Sequence, residues 1–221
     1  MNSAVKLLWA VALFGSATVA STVCLAAGES IPGYPDAIEA FDPREIAMLP
    51  GYCKYTQTYR GKIPGGNNPA EIERWTEVMG DIFNAMHHYC NGLMRTNRAL
   101  LLAREPQVKR FNLSASINEF DYVIDRAPQD FSLLPEILTK KGENLLRLGN
   151  KRGIESLQRA IELNKTYWPP YAALADYYKQ AGLPGDARQV LERGLAAAPG
   201  SKALTRRLND LKSAKSSDAA R

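Results

Sequence analysis

Residues 168 to 201 read WPPYAALADYYKQAGLPGDARQVLERGLAAAPGS, and they constrain the chain more than any other stretch. Tyr171, Leu174, Ala175 and Tyr178 fall on one helical stripe; Ala187, Leu191 and Gly194 fall on another. Gly182 and the Pro184-Gly185 pair mark a turn between them, and Pro199 closes the unit. Small residues at Ala175, Ala187 and Gly194 let two antiparallel helices approach closely, while the large ones fill the remaining space. Such a hairpin cannot bury its apolar faces alone and calls for neighbours of the same kind.

Weaker copies precede it. Over about 134–167, Gly142 and Leu145 fit the first helix of a pair, and Leu157 and Ala160 fit the second. The turn is one residue short, and Lys165 stands where the closing proline is expected. Near 97–130, Ser116, Phe120, Val123 and Pro128 fit a second helix. Its first helix must come from GLMRTNRALLLAR, with EPQVKRFN as a longer loop. After the last unit, SKALTRRLNDLK predicts one amphipathic helix with Ser201 as its N-cap.

The segment 97–212 resembles a tetratricopeptide repeat array, most strongly at 168–201. The expected fold class is all-α: a helical-hairpin solenoid preceded by a non-repeat helical segment. The expected organisation is a signal peptide at 1–26 and a helical segment at 28–96 with a Gly-rich loop at 61–68. An array of about three units follows at 97–200, then a capping helix at 201–212 and a disordered tail at 213–221. By resemblance, Thr139, Glu143 and Arg147 in the second unit face a concave groove. Ala172, Asp176 and Lys179 occupy similar places in the third. The implied partner is another protein or an extended peptide. Arrays that clamp a chaperone's carboxyl terminus carry Lys and Asn at set positions, and Ala172 and Asp176 depart from that pattern.

The N-terminal half starts its helices with one kind of signal. In FDPREIAML, Asp42 can cap, Pro43 takes the first helical position and Glu45 sits three after the cap; Asn68, Pro69 and Glu71 repeat the arrangement. These predict helices over 43–57 and 68–79, a break near Gly80, and a longer helix over about 81–104. Residues 28–41 read as an extended lead-in. The Gly pairs of TYRGKIPGGNNP do not make a phosphate-binding loop, which needs Gly-x-x-x-x-Gly-Lys-Ser/Thr after a strand.

The first residues have the layout of a secretory leader: Lys6, then LLWAVALFG, then small residues, with cleavage near Ala20 or Ala26. This predicts a secreted or periplasmic protein. Contact with a membrane would come only through an uncleaved leader or lipidation at Cys24. The net charge of +5 is scattered, without an aromatic-interleaved basic stripe, so nucleic acid is not an expected partner.

AMHHYCNGL, residues 85–93, holds the only two histidines, His87 and His88, beside Cys90. Export makes a Cys53–Cys90 disulfide the leading reading, closing a loop of 38 residues counting both cysteines. The alternative is a metal or redox centre built on His87, Cys90 and Cys53, or a copper site of Cys90, His87 and Met94. A nucleophilic Cys90 with His87 as base lacks any supporting motif. The expected role is therefore non-enzymatic and cofactor-free: a scaffold or assembly factor of the bacterial cell envelope.

Overall fold

A computed structural model describes residues 41–219. The leader, its two cleavage points, Cys24 and nearly all of the 28–41 lead-in lie outside the described residues. Among those described, every regular element is helical.

Helix α1 (Pro43–Ala47) starts as its sequence signals: the Asp42 carboxylate accepts the Arg44 backbone N–H. The predicted 43–57 helix does not continue. Pro50 cannot donate to a helical ladder. The chain instead makes a 3₁₀ turn at Gly51–Tyr55 and a single turn, α2 (Gln57–Arg60). Glu45 is not a capping-box residue either. It is buried, and its carboxylate accepts two bonds from Arg98, at 2.5 and 2.8 Å.

Helix α3 (Pro69–Met79) begins at its Asn68 cap and stops at Gly80, whose φ of 71° suits glycine. The predicted 81–104 helix is three pieces. A 3₁₀ stretch, Gly80–Ala85, leads into α4 (Met86–Asn97), and a π-helical turn, Arg98–Leu102, ends it. The array's first hairpin therefore begins inside the segment assigned to 28–96. Its second helix, α5 (Pro106–Ile124), starts within the stretch read as a loop, EPQVKRFN. Pro106 opens the helix, where a missing N–H costs nothing, and Val108 and Asn112 are buried.

Two further hairpins follow: α6 (Leu134–Arg147) with α7 (Arg152–Leu163), and α8 (Pro169–Gln180) with α9 (Pro184–Ala197). Helix α10 (Lys202–Ala219) packs on α9 and α8. The Ser201 hydroxyl accepts the Leu204 N–H, as a cap should. The helix overruns the predicted end at 212, because KSAKSSDA contains neither Gly nor Pro to stop it.

One apolar core gathers the 3₁₀ turns, α4 and the inner faces of α5 and α6 around Tyr59, Met86, Tyr89 and Phe120. A second gathers α7 to α10 around Leu157, Tyr171, Leu191 and Leu204. Close helix approach depends on small residues. A Cβ at Gly142 would sit 2.8 Å from Leu157 Cγ and 2.9 Å from the Gly153 carbonyl oxygen; one at Gly194 would sit 2.9 Å from Tyr171 Cβ. Gly142→Ala is expected to destabilise the protein by about 1–3 kcal/mol in urea unfolding, despite alanine's better helix propensity.

Candidate functional site

Helices α6, α8 and α10 pack side by side, each the first helix of a hairpin or its terminal equivalent. Glu143, Leu146 and Arg147 of α6, with Ala173, Asp176, Tyr177 and Gln180 of α8, line a depression of about 180 Å³. Asp176 and Lys179 of α8, with Arg206, Arg207 and Asp210 of α10, line a second of about 180 Å³. Asp176 belongs to both, so the two form one groove across three helices.

The groove's charges are largely committed. Asp176 accepts from Arg207 at 2.9 and 2.8 Å, bridging α8 to α10. This bidentate contact raises the Arg207 pKa, chiefly through the hydrogen bonds. Glu143 lies 3.5 Å from Arg147 and 3.9 Å from Lys140. Arg147 also donates to the Asn144 amide oxygen at 3.0 Å. Asn144 is fully buried, and its amide nitrogen donates to Thr96 at 2.7 Å and Ser116 at 2.8 Å, tying α6 to α4 and α5. Lys179 and Arg206 are exposed and form no ion pair among the described residues. Asp210 is likewise exposed and forms no ion pair among the described residues, so the groove's uncommitted charge is net positive by one, beside the half-buried Tyr177.

Of the residues expected in the groove, Glu143, Arg147, Asp176 and Lys179 line it. Thr139 does not: it is buried, and its hydroxyl donates to the Pro135 carbonyl at 2.7 Å. Ala172 is likewise buried. Thr139 lies one turn before Glu143 on the same side of α6, where neighbouring elements cover it. Arg206, Arg207 and Tyr177 escaped the sequence reading. The signal for the two arginines was the register of α10, which continues the first-helix row. On the opposite side, residues of α7, α8 and α9, including Gln158, Tyr178, Gln189 and Arg193, line a cavity of about 330 Å³.

The histidine–cysteine cluster has a different character. Cys53 and Cys90 are joined in a disulfide, and both are buried. Their thiolates are therefore not free to ligate a metal or attack a substrate. Among the described residues, no three His, Cys, Asp or Glu side chains converge as a ligand set. Met94, the remaining copper candidate, is fully buried in the core.

His88 turns away from Cys90 towards α5. Its Nδ1 lies 2.6 Å from a Glu119 carboxylate oxygen, and its ring stacks on Tyr122 with centroids 3.6 Å apart. The Arg126 guanidinium carbon lies 3.5 Å from the same Tyr122 ring. Two groups that close cannot share a face, so Tyr122 is held between imidazole and guanidinium. His87 Nδ1 contacts the Asn84 carbonyl at 2.9 Å. Burial, and then the neighbouring His88, push the His87 pKa below its ordinary value.

On acidification through about pH 6.5 the unfolded chain takes up the His87 proton first. The stability that neutral His87 permits is present above that pH and is lost below it. His87→Gln is expected to flatten the rise of unfolding free energy between about pH 5 and 7. An unchanged slope would mean that His87 titrates alike in both states.

No curated protein matches the chain. The tetratricopeptide repeat family profile matches residues 168–211, which span α8, α9 and the first part of α10. The stretch α8 to α10 is thus of tetratricopeptide-repeat type within an all-α fold of the described residues, and the faces of α6, α8 and α10 line the groove.

Proposed function

We propose that this protein is a scaffold or assembly factor of the bacterial cell envelope, exported by its leader, that holds an extended segment of a partner protein in the α6–α8–α10 groove. At the coarser level, tetratricopeptide arrays present surfaces for other proteins or peptides rather than catalytic centres. The observation that carries the reading is the continuity of the groove. Asp176 lines both depressions, so an extended chain can run from Arg147 past Tyr177 to Arg206. The surplus of Lys179 and Arg206 over Asp210 supports a segment carrying acidic side chains.

The test is capture of the partner from the native host by crosslinking, followed by affinity measurement with the purified partner. Lys179→Glu/Arg206→Glu is expected to weaken binding by 10-fold or more, about 1.4 kcal/mol. Reversal at Arg147 is less suitable, because Arg147 is bonded to the buried Asn144 and its loss disturbs folding as well. Full-strength binding by the double variant would move the site off this groove.

A further inference from the structure

The α4–α5 hairpin ends in an uncovered apolar tip. Leu100, Leu101 and Leu102 are 42, 64 and 51 % exposed, and Phe111 on the facing stretch of α5 is 50 % exposed. Successive leucines on this π-helical turn fan over nearly half of the helix circumference. A single packed helix or a flat protein surface would cover one or two of them and leave the rest in water. A fluid apolar medium surrounds all of them at once.

The polar collar of this tip is cationic. Arg104, Lys109 and Arg110 are exposed, and none forms an ion pair among the described residues. The acidic residue between them in sequence is Glu105. Arg95, one turn or more before the leucines, places its guanidinium 5.9 Å from the Phe111 ring. Exposed leucines and a phenylalanine beside uncommitted cations match the interface of an anionic bilayer: acyl chains for the tip, phosphate groups for the cations. Single π-helical turns in helices are frequent at functional positions.

We propose that the α4–α5 tip docks on an anionic lipid surface, with Leu100–Leu102 and Phe111 entering the headgroup boundary and Arg104, Lys109 and Arg110 meeting the phosphates. This contact is separate from any leader or lipid anchor, and it uses helices other than those of the groove. Its failure would leave the partner-binding reading standing.

The test reads the tip locally, so that the N-terminal apolar run cannot mask it. An environment-sensitive fluorophore is placed on Leu101→Cys in the full chain with Cys24→Ser, Cys53 and Cys90 being held in their disulfide. A control carries it on Glu192→Cys, an exposed position of α9. Vesicles of phosphatidylcholine with phosphatidylglycerol are expected to shift the tip probe to the blue and leave the control unmoved. High salt should reverse the shift.

Arg104→Gln, Lys109→Gln and Arg110→Gln together should raise the lipid concentration at half-shift about 100-fold, at roughly fivefold per cation. No shift with anionic vesicles, or an equal one with phosphatidylcholine alone, overturns the proposal. So does a blue shift that appears without lipid as protein concentration rises and disappears with Leu102→Ser, which would assign the tip to a second copy of the chain.

Discussion

Arg98→Ala is expected to lower the unfolding free energy by about 3–5 kcal/mol, measured by urea denaturation with the disulfide intact. Arg98 and Glu45 are 4 and 7 % exposed at their side chains. The guanidinium donates to both carboxylate oxygens, joining α1 to the π-helical turn after α4. Removing the arginine strands a carboxylate in the interior, where water cannot reach it. The loss comes mainly from that stranded charge, not from the pair's own net attraction. Glu45→Leu combined with Arg98→Met should therefore recover most of it. If the double variant is as unstable as Arg98→Ala, the pair is needed for α1 to dock at all.

The second large effect belongs to the disulfide. Cys53→Ser/Cys90→Ser is expected to cost about 4 kcal/mol, from the chain entropy released when a loop of this length is opened. The sequence separation is 37 residues, and the loop contains α2, α3 and the 3₁₀ stretch Gly80–Ala85. Helix α3 has no buried residue of its own. The bridge thus holds together a segment whose own packing is thin, and hydrogen exchange in α3 should accelerate more than in α8 or α9. A uniform loss of protection across all helices would mean that the two apolar cores unfold as one.

How much of this was legible depends on how local each signal is. The hairpin of α8 and α9 was readable because helix stripes, a Gly-Leu-Pro-Gly turn and small residues at the crossing all lie within 168–201. The Asn68 and Asp42 caps were readable for the same reason, being made within three residues. Contacts between distant residues were not. Glu45 carries every local mark of a capping box, yet Arg98, 53 residues on, takes its carboxylate. The 105–112 stretch looked like a loop because its charges hide Val108 and Asn112, which only the partner helices bury.

The site was legible in part. Repeat spacing located Glu143, Arg147, Asp176 and Lys179, because residues three to four apart share a helix face. It put Thr139 on that face too, rightly, but neighbouring elements bury that end of the face. It missed Arg206 and Arg207, because the last helix has no hairpin partner after it among the described residues and so did not read as a repeat. The pair AMHHYCNGL posed as a ligand cluster for a related reason. Spacing within one helix says that His87 and Cys90 share a face; the leader and the cysteine count pointed to the Cys53–Cys90 bridge that the structure forms, but nothing local showed that Glu119 claims His88.

Site-specific photocrosslinking in the native host tests the central claim most directly. A photoreactive phenylalanine analogue replaces Tyr177 in the groove in one strain and Gln189 on the α7–α9 side in another. The account predicts a discrete adduct to one partner from position 177 and none from 189. It also predicts that Lys179→Glu/Arg206→Glu abolishes the adduct. An adduct from 189 alone, or one from 177 that the charge reversal leaves untouched, would contradict it.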